Sequence, residues 1–81
     1  MITMTLTNMP CGQAAIITDF TAQIPAATKR RLEDLGLYKD RSIRLLRRTP
    51  FGGPLSIVVG GLVLALDTQL AEHIIVMTQA C

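Results

Sequence analysis

Aromatic side chains are scarce in this 81-residue chain, which has no Trp, one Tyr and two Phe. A platform for stacked nucleic-acid bases needs several exposed rings, and few are available here. Histidine is scarcer still, with His73 alone. The two cysteines, Cys11 and Cys81, lie near opposite ends. There is no C-x-x-C and no pair of histidines, whereas a zinc site needs three or four ligands at defined spacing. Long apolar runs are also missing. The longest, Leu55–Leu66, is interrupted by Ser56 and by Gly60-Gly61, well short of the roughly 20 residues that span a bilayer. Met1–Pro10 has neither a basic start nor a sustained apolar core, so no secretory signal is expected. A cytoplasmic location and reduced thiols follow as expectations.

Aliphatic residues make up the difference. Hydrophobic residues form 49% of the chain against 17% charged, a composition that supports a packed globular domain. The length suits one domain spanning residues 1–81. Net charge is only +2, but all eight Lys and Arg residues fall between Lys29 and Arg48, and the remainder carries acids and no base. Such asymmetry points to a surface with a preferred partner.

The local signals are those of short strands. Met4-Thr5-Leu6 reads as a short strand or an extended lead-in, followed by turn chemistry at Asn8–Gly12. Ala14–Phe20 alternates as a strand, with Ala14, Ile16, Thr18 and Phe20 on one face and Ala15, Ile17 and Asp19 on the other. Ile24, Thr28, Leu32 and Leu35 recur at helical spacing and predict a buried stripe. Gly36 is the natural stop of that helix, with Leu37 able to fold back on its end. Arg41–Arg48 reads as a strand with Ile43 and Leu45 inward; Ser42, Arg44, Leu46 and Arg48 share the other face. Leu55, Ile57 and Val59, then Leu62, Leu64 and Leu66, predict a hairpin about Gly60-Gly61. Asp67 or Thr68 can cap a helical turn over Thr68–His73 before an apolar last strand, Ile74–Met77. Five or so short strands with tight turns predict a mainly β fold, a small SH3-like or OB-like barrel. It has one short α-helix after the first strand region and one helical turn before the last strand.

Charge along the predicted helix runs against its dipole. Lys29, Arg30 and Arg31 are expected near its N-terminus and Glu33 and Asp34 near its C-terminus, each unfavourable by about 0.3–1 kcal/mol when exposed. Packing of Leu32 and Leu35 must then hold the helix. Its basic end is either a solvated face or a contact for a partner, and charge reversal at Arg30 and Arg31 separates the two.

The run RRLEDLGL, a basic strand, then PFGGPLSIVVGGLVLAL, a short helix and HIIV resembles the FeoA family of ferrous iron transport A proteins. It is also similar to the SH3-like domain at the C-terminus of diphtheria-toxin-repressor-type metal regulators. The resemblance runs from about Leu6 to Met77. It departs at Asp40, where the family often has Gly, and at Asp67, where it often has Arg. It implies an SH3-like barrel acting on FeoB, a membrane ferrous iron permease with a GTPase domain, as an accessory rather than a transporter.

The chemistry-bearing residues agree with a binding role. Cys11, Glu72, His73 and Cys81 are the candidate metal ligands, and their spacing predicts no resident metal or other cofactor. One His flanked by Ile74 and Ile75 is a poor base for a nucleophile, so no enzymatic activity is expected. Gly52-Gly53 and Gly60-Gly61 lack the Lys and the strand-to-helix setting of a phosphate loop. Tyr38, Phe51 and Leu46 could form an apolar patch rimmed by Arg44, Arg47 and Arg48, and aromatic and Arg residues anchor protein interfaces. The candidate partner-binding residues are therefore Arg30, Arg31, Tyr38, Arg44, Arg47, Arg48 and Phe51. The partner implied by the resemblance is the FeoB-type permease, with no membrane insertion of this chain. Exposed strand edges would also permit a homodimer. The alternatives are a detached SH3-like domain contacting a metal-dependent regulator or a peptide, and a small nucleic-acid-binding barrel. Two aromatics among Arg41, Arg44, Arg47 and Arg48 disfavour nucleic acid.

Overall fold

A computed structural model describes residues 2–10, 12–49 and 52–78. Strand β1 (Ile2–Thr5) runs into a 3-10 turn at Leu6–Asn8. It is followed by β2 (Ala14–Phe20), helix α1 (Ala26–Asp34), β3 (Ser42–Arg48), β4 (Leu55–Val59), β5 (Leu62–Leu66), the one-turn helix α2 (Thr68–Ala71) and β6 (Ile74–Thr78). The strands form one antiparallel sheet in the order β1-β6-β2-β3-β4-β5. This is the mainly β, SH3-like architecture that the pattern predicts. The apolar β6 lies between β1 and β2, and β1 and β5 are the sheet edges.

Two register shifts decide which residues reach the core. In β2 the pairing to β6 slips between Ile17 and Asp19, leaving Thr18 as an extra residue whose hydroxyl donates to the Ile75 carbonyl at 3.3 Å. The slip changes which side the alternation faces. Ala15 and Ile17 are buried before it and Phe20 after it, while Ile16 is exposed. Strict alternation had grouped Phe20 with Ile16. In β3 the pairing to β4 slips between Leu45 and Arg47. Ile43 and Leu45 are buried as expected, and so are Leu55, Ile57 and Val59 opposite them.

Helix α1 begins at Ala26, with Pro25 as its N-cap and no side-chain cap bond. Lys29 is thus its fourth residue, and Arg31 lies in the last turn, where a cation suits the dipole. The expectation of three bases at the N-terminus is corrected, because in a helix of only nine residues Arg31 already falls in the last turn; Glu33 and Asp34 remain at the unfavourable end. Of the predicted stripe only Leu32 is fully buried. Ile24 packs partly, and Leu35 is 43% exposed. Leu37 takes the place foreseen for Leu35. Gly36 adopts φ 96°, its N–H donates to Glu33 O at 3.0 Å, and Leu37 N–H donates to Leu32 O at 2.9 Å. This pair of bonds closes the helix and brings Leu37 back beside Leu32. Full burial of either leucine stabilises by about 1.5–3 kcal/mol, more than the charge placement costs.

The β4–β5 hairpin about Gly60-Gly61 forms as expected. Leu66 is buried and Leu64 partly so, whereas Leu62, paired with buried Val59, is 68% exposed. It stands at the tip of an edge strand, where no further strand covers it.

Candidate functional site

The extra residue in β3 rearranges the predicted basic face. Leu45 pairs with Ile57 and Arg47 with Ser56, so Leu46 has no partner and stands out at 44% exposure. Arg47 then joins Arg44 on the outer face, with Arg44 between Ala14 and Val58. Arg48 falls into register with buried Leu55 and donates from Nη2 to the Met9 carbonyl. Arg48 was expected beside Arg44, and is instead tied to the turn after β1. Arg44, Arg47 and Arg48 are all exposed, as are Arg30 and Arg31 on α1. Lys29 sits over the Phe20 ring, with Nζ 5.7 Å from the centroid. Cys11, Phe51 and Cys81 lie outside the described residues, so the expectations placed on them do too.

Tyr38 does not join Leu46. It sits in the turn before β3, and a strand advances about 3.3 Å per residue, so the five steps from Arg41 to Leu46 span roughly 16 Å. Its partner is Arg41, whose guanidinium lies 5.1 Å from the ring centroid and donates to the phenolic oxygen. The same guanidinium covers the tip of the β4–β5 hairpin. Gly60 has φ 58°, and a Cβ placed there would collide with Arg41 Nη2. Arg41 therefore joins the turn at Tyr38 to the hairpin. It read only as one more basic residue in sequence, because nothing local links it to a glycine so far along the chain. Asp40 takes φ 71° in that turn and donates its N–H to Ile17 O at 2.7 Å. Asp tolerates this left-handed geometry better than most residues.

A cavity of about 340 Å³ opens between Thr7, Arg48, Thr49, Gly52, Gly53, Leu55 and Thr68. Its hydroxyls hold the loop. Thr68 Oγ1 lies 2.9 Å and 2.7 Å from the Gly52 and Gly53 carbonyls, and Thr49 Oγ1 donates to Pro54 O at 2.7 Å. Thr68 was a candidate cap for α2, and its hydroxyl goes to the loop instead. Asp67 occupies the N-cap position without a side-chain bond.

His73 is half-buried, and its Nδ1 lies 2.7 Å from Thr21 Oγ1. Thr21 N–H donates to His73 O at 2.9 Å, so the pair fastens the end of β2 to the start of β6. Among the described residues, no group of three His, Cys, Asp or Glu side chains converges to hold a metal. No described helix is long and apolar enough to cross a membrane.

Comparison with known proteins agrees with this scaffold. The sequence profile of the FeoA domain matches residues 4–78. FeoA from Chlorobium tepidum, solved by NMR, is 34% identical with a TM-score of 0.81, over 95% of this chain and 71% of that one. FeoA from Stenotrophomonas maltophilia, crystallised with zinc, is 30% identical with a TM-score of 0.76, over 91% and 89%. It has been put forward as a bacterial ferrous iron transport activating factor. A manganese-dependent transcriptional repressor shares the fold at a TM-score of 0.84 and 21% identity, over 95% of this chain but 42% of its own. No curated protein matches. A profile match over nearly the whole sequence, on a six-stranded sheet that superposes on solved relatives, places the chain in the FeoA family.

Proposed function

We propose that this protein is a cytosolic accessory factor of ferrous iron uptake that binds the cytosolic region of a FeoB-type GTPase permease and modulates it. The observation that carries the reading is the exposure of Arg30, Arg31, Arg44 and Arg47 on a FeoA scaffold. Guanidinium groups at the surface are suited to bidentate contacts with a partner's carboxylates. Arg41 and Arg48 also make contacts within the chain, and Arg48 remains exposed beside them. Tyr38, 40% exposed beside Arg41, offers an aromatic anchor at the same turn. A bound surface of this kind acts by favouring one state of its partner, which requires no catalytic group in this chain.

Pulldown of the permease's cytosolic domain by the full chain, with and without GTP, tests the proposal. Capture in at least one nucleotide state, weakened by R30E/R31E or by R44E/R47E, is the expected result. No capture in either state overturns it. Likeness to the manganese-dependent repressor, at 21% identity, bears on the fold and gives the regulator-binding alternative no added weight.

A further inference from the structure

Strand β5 is an edge without the usual protection. Natural sheets blunt their edges with Lys, Pro, bulges or covering elements, because an open edge is a template for another strand. The hairpin Leu55–Leu66 contains no charged residue and no proline, and its pairing to β4 is regular throughout. Leu62 is 68% and Val63 64% exposed.

The register identifies which main-chain groups are open. Leu62 pairs with Val59 across the two-residue Gly60-Gly61 turn, Leu64 with Ile57 and Leu66 with Leu55. Hydrogen-bonded and non-hydrogen-bonded pairs alternate along an antiparallel ladder. The two-residue turn makes Val59 and Leu62 a bonded pair, so Leu64 and Leu66 are bonded to β4 as well. Val63 and Ala65 therefore direct N–H and C=O away from the sheet. Among the described residues, no backbone group from another element reaches them.

We infer that β5 pairs antiparallel with β5 of a second copy of this chain, about a two-fold axis through Leu64. In that register Leu64 faces Leu64, Leu62 faces Leu66, and Val63 faces Ala65. Both open residues of each copy are then used, giving four main-chain hydrogen bonds; a register centred on Val63 satisfies fewer. Self-pairing desolvates no ion, because the hairpin has none. One residue beyond the ladder, exposed Asp67 of one copy comes opposite Gly61 of the other, beside the Arg41 guanidinium that covers Gly60. This complementary contact occurs twice by symmetry. The basic strands stay apart. Two β3 strands separated by five spacings of about 4.8 Å lie roughly 24 Å from one another, well beyond the Debye length of about 8 Å at physiological salt.

One five-residue strand per copy makes a small interface, so dissociation constants on the order of 10–100 µM are expected. Sedimentation of the full chain between about 5 and 500 µM covers that range. The expected result is a shift from monomer to dimer with concentration. V63K should abolish the shift with an unchanged circular dichroism spectrum. A65P, which removes an outward N–H and no bond to β4, should weaken it at least tenfold, and D67K several-fold. L46K, on the exposed β3 bulge, should leave it intact. A wild-type chain that stays monomeric throughout, or a folded V63K that dimerises like wild type, overturns the inference. So does a monomeric chain whose V63K variant loses the permease's cytosolic domain; that outcome assigns the edge to a partner's strand.

Discussion

Strands β3 and β5 reverse the usual allocation of charge. β3 lies within the sheet, paired on both sides, and carries Arg44, Arg47 and Arg48. β5 lies at the edge and carries none. A central strand cannot be invaded, so its arginines are not needed as edge protection; they project from the outer face or, as with Arg48, hold a neighbouring turn. The edge strand, where charge would block pairing, retains its pairing capacity. One region thus exposes charged side chains and the other an open main-chain edge. Arg41, lying over Gly60 while stacked on Tyr38, connects them.

The contrast breaks first in the core, where the two regions share one interior. Leu45 and its register partner Ile57 are both fully buried. Alanine at either should cost about 2–5 kcal/mol in urea unfolding, with similar losses from the basic strand and the hairpin. Unequal losses would mean that the two regions are not one cooperative unit. Gly60→Ala strikes the joint between them. A side chain in left-handed geometry costs about 1–2 kcal/mol, and contact with Arg41 adds to it, so thermal unfolding should shift downward by several degrees. The next test sharpens the contrast by function. R30E/R31E should weaken binding to the permease's cytosolic domain at least tenfold, about 1.4 kcal/mol, while the urea midpoint and self-association hold. The smallest effect is expected at Asp40→Gly, which removes the positive-φ cost of a side chain but adds backbone freedom. Stability should change by less than about 1 kcal/mol, read from the same urea curves.

Much of the fold was legible from local signals. Alternation marked Ile43 and Leu45 and the inward residues of β4, and Gly36 marked the end of α1. The misreadings share a cause. An extra residue at Thr18 or Leu46 leaves no trace in composition, yet it changes the facing of every side chain beyond it. Phe20, Arg47 and Arg48 were misplaced for that reason. Leu37 folds back on the helix end as expected, and by taking the place beside Leu32 it leaves Leu35, expected in the buried stripe, exposed. The predicted patch includes Phe51, which lies outside the described residues; of its other members, Tyr38 precedes β3 and Leu46 stands near the end of that strand.

The sequence by itself determined the element order, the aliphatic core, the confinement of positive charge to Lys29–Arg48 and the family. Each follows from residue type, spacing or motif order, which are local properties. The tertiary structure decided which arginines face outward, what Arg41 and Thr68 bind, and that the uncharged hairpin ends as an open edge. Those depend on pairing register and on contacts between residues far apart in the chain, where a single extra residue in a strand redirects a side chain to the opposite face.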